Sequence, residues 1–368
     1  MKVVVEREEL LRGLQLVARA INPGSSITIL SGSLIEIKDG EVSLKGTDLK
    51  IGIQTNVKVI EISEEGKAII PLKNFYNIVR KLPERPIELE TKENILYLRT
   101  EGIEYTFTTY PVEDYPEFPT LEDSQLVFET ECDLLSKMIR ETSFAGSPHD
   151  EIPPYLSGTL FEIREGELRM VSTDAKRLAL TKMPISTNKT GKYLIPITTL
   201  EELRRIITLG EIEMYEAKGE IMFKWEDGIF WSRLIDAEFP PYEKVIPTDW
   251  ITKITVSADE LESAMERMSY LVKERGNIIR LEIEEGKMIL SGEVPELGAG
   301  KEEIKVEFEG ESLKIAFNVR FFLDMLKHVD ADYFTIAFRG ALEQAVITKE
   351  GKDDFLYILM PVAIPDET

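Results

Sequence analysis

The stretch STDAKRLAL places Thr173, Asp174, Lys176 and Arg177 within five residues: a hydroxyl, a carboxylate and two cations. Such a cluster could move protons, hold an anion, or close a turn. A carboxylate hydrolase would need a second acid beside Asp174, and Glu162 and Asp236 are the candidates. Other chemistries lack their parts. The chain has no phosphate-binding Gly-rich loop, no zinc-ligand spacing and no HExxH pair. His149 lies in a polar loop, and His328 stands at a helix end, where a positive charge favours the dipole; both read as structural. Cys132 has no base near it in sequence and reads as a small packing residue. No cofactor or metal is expected.

The elements that position this stretch form a repeat. VVVEREELLRGLQLVARAI (3–21), LVFETECDLLSKMIRETSF (126–144) and KITVSADELESAMERMSYL (253–271) each predict a short strand, a polar helix start with acids in the first turn, and an amphipathic helix. LIEIKDGEVSLKGTD (34–48), LFEIREGELRMVSTD (160–174) and RLEIEEGKMILSGE (280–293) alternate around Asp39-Gly40, Glu165-Gly166 and Glu285-Gly286, which predicts hairpins. AIIPLKNFYNIVRKL (68–82), YLIPITTLEELRRII (193–207) and KIAFNVRFFLDMLKH (314–328) add a second strand and helix, and more alternating strands come after each. A period of roughly 120 residues is long enough for an independent core. The reading is an α+β chain of three similar domains, 1–121, 122–248 and 249–368, each with two helices packed on antiparallel sheets. The boundaries fall in PEFPTLEDS and VIPTDW.

The repeat also bears on the opening cluster. Thr47-Asp48 is equivalent to Thr173-Asp174, so the shared pair is better explained as a turn than as a reaction centre. Glu36 is equivalent to Glu162, which weakens the hydrolase. The segments after the pair differ among the repeats: LKIGI, AKRLAL and VPELG. The unique segment is the expected functional one.

Composition sets the outer bounds. A chain of 368 residues with 43% apolar residues folds rather than remaining disordered, and a single cysteine allows no internal disulfide. No run reaches the length of a membrane span, and the N-terminus turns acidic too early for a signal peptide, so a cytoplasmic protein is expected. Scarce Asn, Gln and Cys with abundant Glu, Lys and Ile suggest a heat-adapted source. The net charge of −23 argues against a generic nucleic-acid binder. Screening nevertheless confines a surface charge to about 8–10 Å at physiological salt, so a segregated basic wall can coexist with an acidic exterior. Each helical segment carries closely spaced cations: Arg12 and Arg19; Lys73 and Arg80; Lys137 and Arg140; Arg204 and Arg205; Arg267 with Lys273; Arg320 and Lys327. The acids concentrate in hairpins such as EISEEG and EIREGE.

Over its whole length the sequence resembles the β subunit of bacterial DNA polymerase III, the sliding clamp. The resemblance rests on VEREELL, GTDL (46–49), STDAKRLAL, FPPYEKVIP (239–247), IAFNVRFFLDML (315–326) and YILMPV (357–362), in order on the threefold repeat. It implies a head-to-tail homodimer ring around double-stranded DNA, with the helices inside, and no enzymatic activity. The helical cations would face phosphates, which carry no sequence information. The family's basic or aromatic DNA-contacting loops are here NPGSSIT and SPHDEIPPY; Lys273 and Arg275 are the expected substitutes. Tyr105 and Phe107 would meet Tyr270 and Leu271 of the partner.

The resemblance further implies a pocket for short linear peptides of the polymerase catalytic subunit, the clamp loader and other DNA-processing proteins. Carried over position by position, it comprises Leu156, Thr173, Ala175, Lys176, Arg177, Leu178, Pro240, Lys244, Val245, Ile358, Met360, Pro361 and Val362. Apolar side chains would form its floor, and Lys176, Arg177 and Lys244 would hold polar or acidic groups. Ala175 and Lys176 stand where the family often has Gly and His, and the chain continues past Val362 as AIPDET, which implies a shifted peptide preference. The rival reading is an acidic peptide-binding scaffold without DNA.

Overall fold

The computed structural model describes residues 1–147, 153–273, 276–295 and 297–363. Its chain order repeats three times. A strand and helix open each repeat: β1 (Lys2–Val5) and α1 (Arg7–Val17), β10 (Gln125–Glu131) and α3 (Cys132–Ser143), β18 (Thr252–Ser257) and α5 (Ala258–Val272). The second strand–helix pairs are β6 (Gly66–Pro71) with α2 (Leu72–Val79), β14 (Gly191–Pro196) with α4 (Ile197–Ile206), and β23 (Leu313–Asn318) with α6 (Val319–His328). Helix α1 buries Leu10, Gly13, Leu14 and Val17, the stripe that its periodicity predicts. Gly13 is required there, because a Cβ would stand 2.8 Å from Leu44 and 2.9 Å from Val57.

The helix starts differ from expectation. Neither Glu6 before α1 nor Ser257 before α5 uses its side chain as a cap. Asn318 does, accepting from the Arg320 amide at 3.0 Å. Packing of the apolar stripe, rather than capping, fixes the first helix of these repeats.

The predicted hairpins form. Asp39 and Gly40 have φ of 52° and 77°, Glu165 and Gly166 54° and 75°, the two left-handed residues of a tight hairpin turn. At the third, Gly286 is left-handed at 76°. These turns join β2 (Gly32–Lys38) to β3 (Glu41–Thr47), β11 (Gly158–Arg164) to β12 (Glu167–Thr173), and β19 (Ile278–Glu284) to β20 (Lys287–Val294).

The strands cluster into two units that do not follow the repeat boundaries. The first comprises Met1–Asp133 and Arg205–Leu234, the second Leu134–Arg204 and Ile235–Thr368. In the first unit, β4 (Ile51–Val57) of repeat one pairs antiparallel with β17 (Gly228–Arg233) of repeat two, and an eight-stranded sheet runs β10-β15-β16-β17-β4-β3-β2-β6, where β15 is Glu211–Ala217 and β16 Glu220–Trp225. A five-stranded sheet, β5-β1-β7-β8-β9, completes this unit, with β5 Val59–Glu64, β7 Ile87–Lys92, β8 Ile95–Thr100 and β9 Ile103–Thr108.

In the second unit, β13 (Arg177–Pro184) of repeat two pairs antiparallel with β26 (Phe355–Leu359) of repeat three. The nine-stranded sheet is β14-β11-β12-β13-β26-β25-β24-β18-β22, with β22 Glu307–Gly310, β24 Tyr333–Phe338 and β25 Ala345–Lys349. A four-stranded sheet, β21-β20-β19-β23, has β21 (Gly298–Lys305) at its edge. Helices α5 and α6 pack on its main core with Ile254, Leu281, Phe317, Phe334 and Tyr357.

Candidate functional site

The opening cluster is a turn built twice. Thr173 Oγ1 donates to the Arg177 carbonyl at 2.6 Å and accepts from the Ala175 amide at 3.1 Å. Asp174 Oδ1 accepts from the amides of Lys176 and Arg177 at 2.9 and 3.0 Å. Thr47 and Asp48 make the same four bonds to Ile51, Leu49, Lys50 and Ile51. Leu49 and Ala175 both take left-handed φ, 74° and 69°. The cluster is therefore architecture, as the repeat predicted.

The two turns part at their last residue. Ile51 ends the first; Arg177 ends the second, with its side chain 9% exposed. Its guanidinium bonds Asp174 at 3.0 Å and Asp324 of α6 at 2.6 Å, and lies 4.7 Å from the Phe321 ring centroid. Asp324 also accepts at its carbonyl from the His328 ring, which stacks on Phe144 at 5.0 Å. His328 is thus a structural group.

Beside this turn lies a cleft of about 370 Å³. Thr173, Ala175, Lys176, Arg177, Leu178, Pro240, Val245, Ile358 and Met360 line it, as anticipated. Tyr155, Phe239, Pro241, Tyr242 and Gln344 line it too, and sequence reading missed them. The FPPY run was the available signal: Phe239 packs edge-on to Tyr155 at 5.7 Å and on Tyr242 at 6.5 Å. The floor is an apolar cluster of Leu160, Leu178, Leu180, Leu194 and Ile358. The Met360 amide donates to the Lys176 carbonyl at 2.9 Å, so the C-terminal strand closes one wall.

Four expected lining residues stand elsewhere. Leu156 is buried and outside the lining, its carbonyl accepting from the Ser147 amide at 2.8 Å. Lys244 is exposed outside the lining. Pro361 and Val362 run past the cleft, and the Val362 amide donates to the Ala316 carbonyl at 2.8 Å. Arg177 lines the cleft, but its charge is met internally, which corrects its assignment as a partner-holding cation. Lys176 is exposed at the rim of the cleft.

The hydrolase reading fails on geometry. Asp174 is occupied by the turn. Glu162 is buried, bonded by the Tyr242 hydroxyl and the Lys192 ammonium, the latter at 3.1 Å. Burial pushes the Glu162 carboxyl up, but these two partners outweigh it and hold it below the usual glutamate range. The Tyr242 hydroxyl is pushed up by burial and by that same bond. Their role is to fasten the FPPY segment to β11. Equivalent Glu36 is likewise gripped, by Lys45 and Lys67 at 2.9 Å each. Cys132 is buried, and burial raises its thiol.

The helical cations are less uniform than their spacing suggested. Arg19 follows α1 in a 3-10 turn, and Arg80 sits at the C-cap of α2. Several pair with carboxylates among the described residues: Arg12 with Glu9 and Asp227, Lys137 with Asp354, Arg140 with Asp330, Arg204 with Glu201, and Arg267 with Glu302. Lys73, Lys273 and Lys327 are exposed, without a carboxylate partner among the described residues. Arg320 is exposed and bonds Asn277, and Arg80 lies over the Tyr76 ring. Arg205 is an exposed α4 residue. Arg275 and His149 lie outside the described residues.

Of the residues assigned to contact a second chain, Phe107 is corrected. It is 8% exposed and packs on Phe75 at 5.1 Å, inside its own core. Leu271 is half-buried on the core of the second unit. Tyr105 and Tyr270 are open to solvent at 43% and 85%.

Three family models match the chain: the N-terminal domain of the DNA polymerase III beta subunit over residues 1–119, its central domain over 129–241, and its C-terminal domain over 243–363. A beta sliding clamp of Pseudomonas putida is 31% identical, covering 99% of this chain and 100% of the relative. The crystal structure of the Thermotoga maritima DNA polymerase III beta subunit is 30% identical with a TM-score of 0.89, covering 99% of this chain and 100% of that one. A Pseudomonas aeruginosa sliding clamp solved bound to griselimycin is 28% identical with a TM-score of 0.91 over the same shares.

Proposed function

The chain belongs to the DNA polymerase III beta subunit family of DNA sliding clamps, non-catalytic processivity factors of replication, and from that membership we propose how its own parts perform the task. Two copies close head to tail around duplex DNA. In each chain one kind of strand pairing is made twice, β4 with β17 and β13 with β26. Repeat equivalence leaves one more strand of each kind. β21 corresponds to β4 and β13, and β9 to β17 and β26; both are sheet edges. An exposed edge is a template for pairing. A second copy supplies the complementary edge at each end, and a heterologous contact of this sort closes into a ring when its rotation permits. That repeated pairing is the observation that carries the reading.

The domains, 1–121, 122–248 and 249–368, present the cations of their helices to the phosphates. Contacts are few, so retention comes from enclosure and the clamp slides. The cleft beside Arg177 takes short apolar segments of the polymerase catalytic subunit, the clamp loader and other DNA-processing proteins. Lys176 meets their polar or acidic groups. The protein works in the cytoplasm.

Sedimentation mass and retention on DNA test this together. A dimer that stays on nicked circular DNA after loading, and leaves once the circle is linearised, is expected. A monomer, or equal loss from both DNAs, overturns the ring.

A further inference from the structure

The peptide cleft has a counterpart in the first unit. The turns at Thr47-Asp48 and Thr173-Asp174 make the same bonds, so Gly52, just past the first turn, corresponds to Leu178, just past the second. Each residue pairs across the strands that join two repeats: Leu178 with Ile358, and Gly52 with Trp231. Trp231 therefore stands where the cleft has Ile358. The rest of the apolar cluster recurs as well. Leu34 pairs with Ile69 as Leu160 pairs with Leu194. The Ile69 carbonyl accepts from the Tyr110 amide at 3.0 Å, and the Leu194 carbonyl from the Ile235 amide at 2.8 Å. Tyr110 leads into YPEF (115–118) and Ile235 into FPPY (239–242), which puts Phe118 in the place of Tyr242.

In the first unit this space is occupied. A Cβ on Gly52 would collide with the nitrogen and adjoining carbons of the Trp231 indole, so the indole lies where the cleft has the Leu178 side chain. Phe118 packs edge-on to the indole at 5.9 Å, and Tyr115 stacks on Phe118 at 6.2 Å. Trp231 is 4% exposed. Its Nε1 is buried and has no hydrogen-bond partner among the described residues. A buried Trp usually finds one, and leaving the donor unpaired costs stability. The indole is thus held for the volume it fills, not for a bond it makes. In the second unit the smaller Leu178 and Ile358 line an open cleft of about 370 Å³.

We infer that Trp231 is an internal plug of a second peptide cleft, so that each chain offers its partners one site instead of two. The inference rests on the peptide-binding reading of the cleft beside Arg177. Gly52 and Trp231 act as a pair: the glycine makes room, and the indole takes it. The consequence is valency. Partners that share an anchor exclude one another on a chain, whereas an open counterpart would admit two at once, with the avidity a second site brings. The counterpart also has a more polar floor than the cleft. Lys45 stands in the place of Val171, and Gln54 in the place of Leu180. Once unplugged it holds an apolar anchor more weakly than the cleft does.

The test counts peptides per chain on the full-length protein by calorimetry, with a synthetic peptide carrying two leucines and a phenylalanine as the probe. The unaltered chain is expected to bind one. Gly52→Leu with Trp231→Ile transplants the open pair and should add a second event, roughly tenfold weaker than the first. Trp231→Ala, which opens the space without adding a side chain, should do the same. The retained first event shows that these variants are folded. Trp225→Ala removes another buried indole with an unpartnered nitrogen, at the turn of the same hairpin, and should leave the count at one. The reciprocal change, Leu178→Gly with Ile358→Trp, should plug the cleft and weaken the peptide at least tenfold while a cooperative unfolding transition is kept. A count that stays at one in both Trp231 variants, a second event in Trp225→Ala, or undiminished binding by the reciprocal variant overturns the plug. Two peptides on the unaltered chain overturn it as well. Failure of the unaltered chain to bind any peptide overturns the cleft reading, and the plug with it.

Discussion

Arg177 and Asp324 lie 147 residues apart and bond at 2.6 Å, tying the turn of the second repeat to the last helix of the third. The pair ties the turn that lines the cleft to α6, and the rings of Phe321 and Phe144 cover the guanidinium at 4.7 and 5.8 Å. Arg177→Ala leaves Asp174 without its arginine partner and opens a void beside the rings. Asp324 is half-exposed, so the cost is below that of a fully buried pair, about 2–3 kcal/mol. Denaturant unfolding should register that loss, and peptide affinity should drop roughly tenfold by displacement of the turn. Arg177→Lys should not restore it, because an ammonium cannot bridge two carboxylates in one plane. Full rescue by lysine would show that only charge matters.

The bond between Tyr242 and Glu162 gives the cleft an acid limit. The folded carboxyl titrates below its ordinary value of 4.5, so its contribution is complete above that value and is lost as pH falls through the lower, folded one. Tyr242→Phe removes one of the two partners that offset burial, and the folded carboxyl rises. Acid loss of peptide binding should then begin at higher pH than in the unaltered protein, with about 1.5–3 kcal/mol less stability near neutrality. Peptide anisotropy across an acid titration reads the shift. Coincident curves for the two proteins would contradict it.

Much of this was legible in the sequence because it is local. The helices follow from apolar spacing, the hairpins from Asp39-Gly40 and Glu165-Gly166, and the turn from the recurrence of Thr-Asp. What escaped is non-local. Nothing near Ile51 or Arg177 announces that their strands continue into β17 and β26 of the next repeat, and so the middle repeat is divided between two units. The acids that meet the helical cations, Asp227 at Arg12 and Asp330 at Arg140, come from distant hairpins and loops. Phe107 looked like an interface residue because an edge strand with one buried face carries apolar residues for either purpose.

The repeated pairing fixes the register of the contact between copies. Ile53 faces Phe230 in one pairing, and Ala179 faces Tyr357 in the other. The equivalent residues on the open edges are Gly300 and Tyr105, which sets Ile103 opposite Glu302. Ile103→Cys with Glu302→Cys should form a covalent dimer on mild oxidation, whereas Ile103→Cys with Lys301→Cys should not, since neighbouring residues point to opposite faces. Gel mobility under non-reducing conditions distinguishes the two. Equal cross-linking of both pairs would remove the register.

Lys349 and Glu141 form a nearly sealed ion pair at 2.9 Å, with Asp354 at 3.3 Å from the same ammonium. Lys349→Met alone should cost about 3–5 kcal/mol, because Glu141 is left charged in the core. Adding Glu141→Leu should recover most of that loss. Thermal or denaturant unfolding of the three proteins tests it. A double variant no better than the single one would mean that the pair contributes net stability of its own.

The uneven neutralisation of the helical cations predicts an uneven DNA footprint. Arg12, Arg140 and Arg267 already have carboxylates beside them, and the hydrogen bond from Arg267 to Glu302 raises the guanidinium still further, so phosphate must compete for these groups. Lys73, Lys273 and Lys327 face no such competition among the described residues. Each lysine that meets a phosphate contributes about 0.9 to the slope of log affinity against log salt. Replacing those three lysines by glutamine should flatten the slope by roughly two to three. The same replacement at Arg12, Arg140 and Arg267 should change it less. Residence on circular DNA measured across a salt series separates the two sets, and equal slopes for both variants would mean that the carboxylates yield to phosphate at no cost.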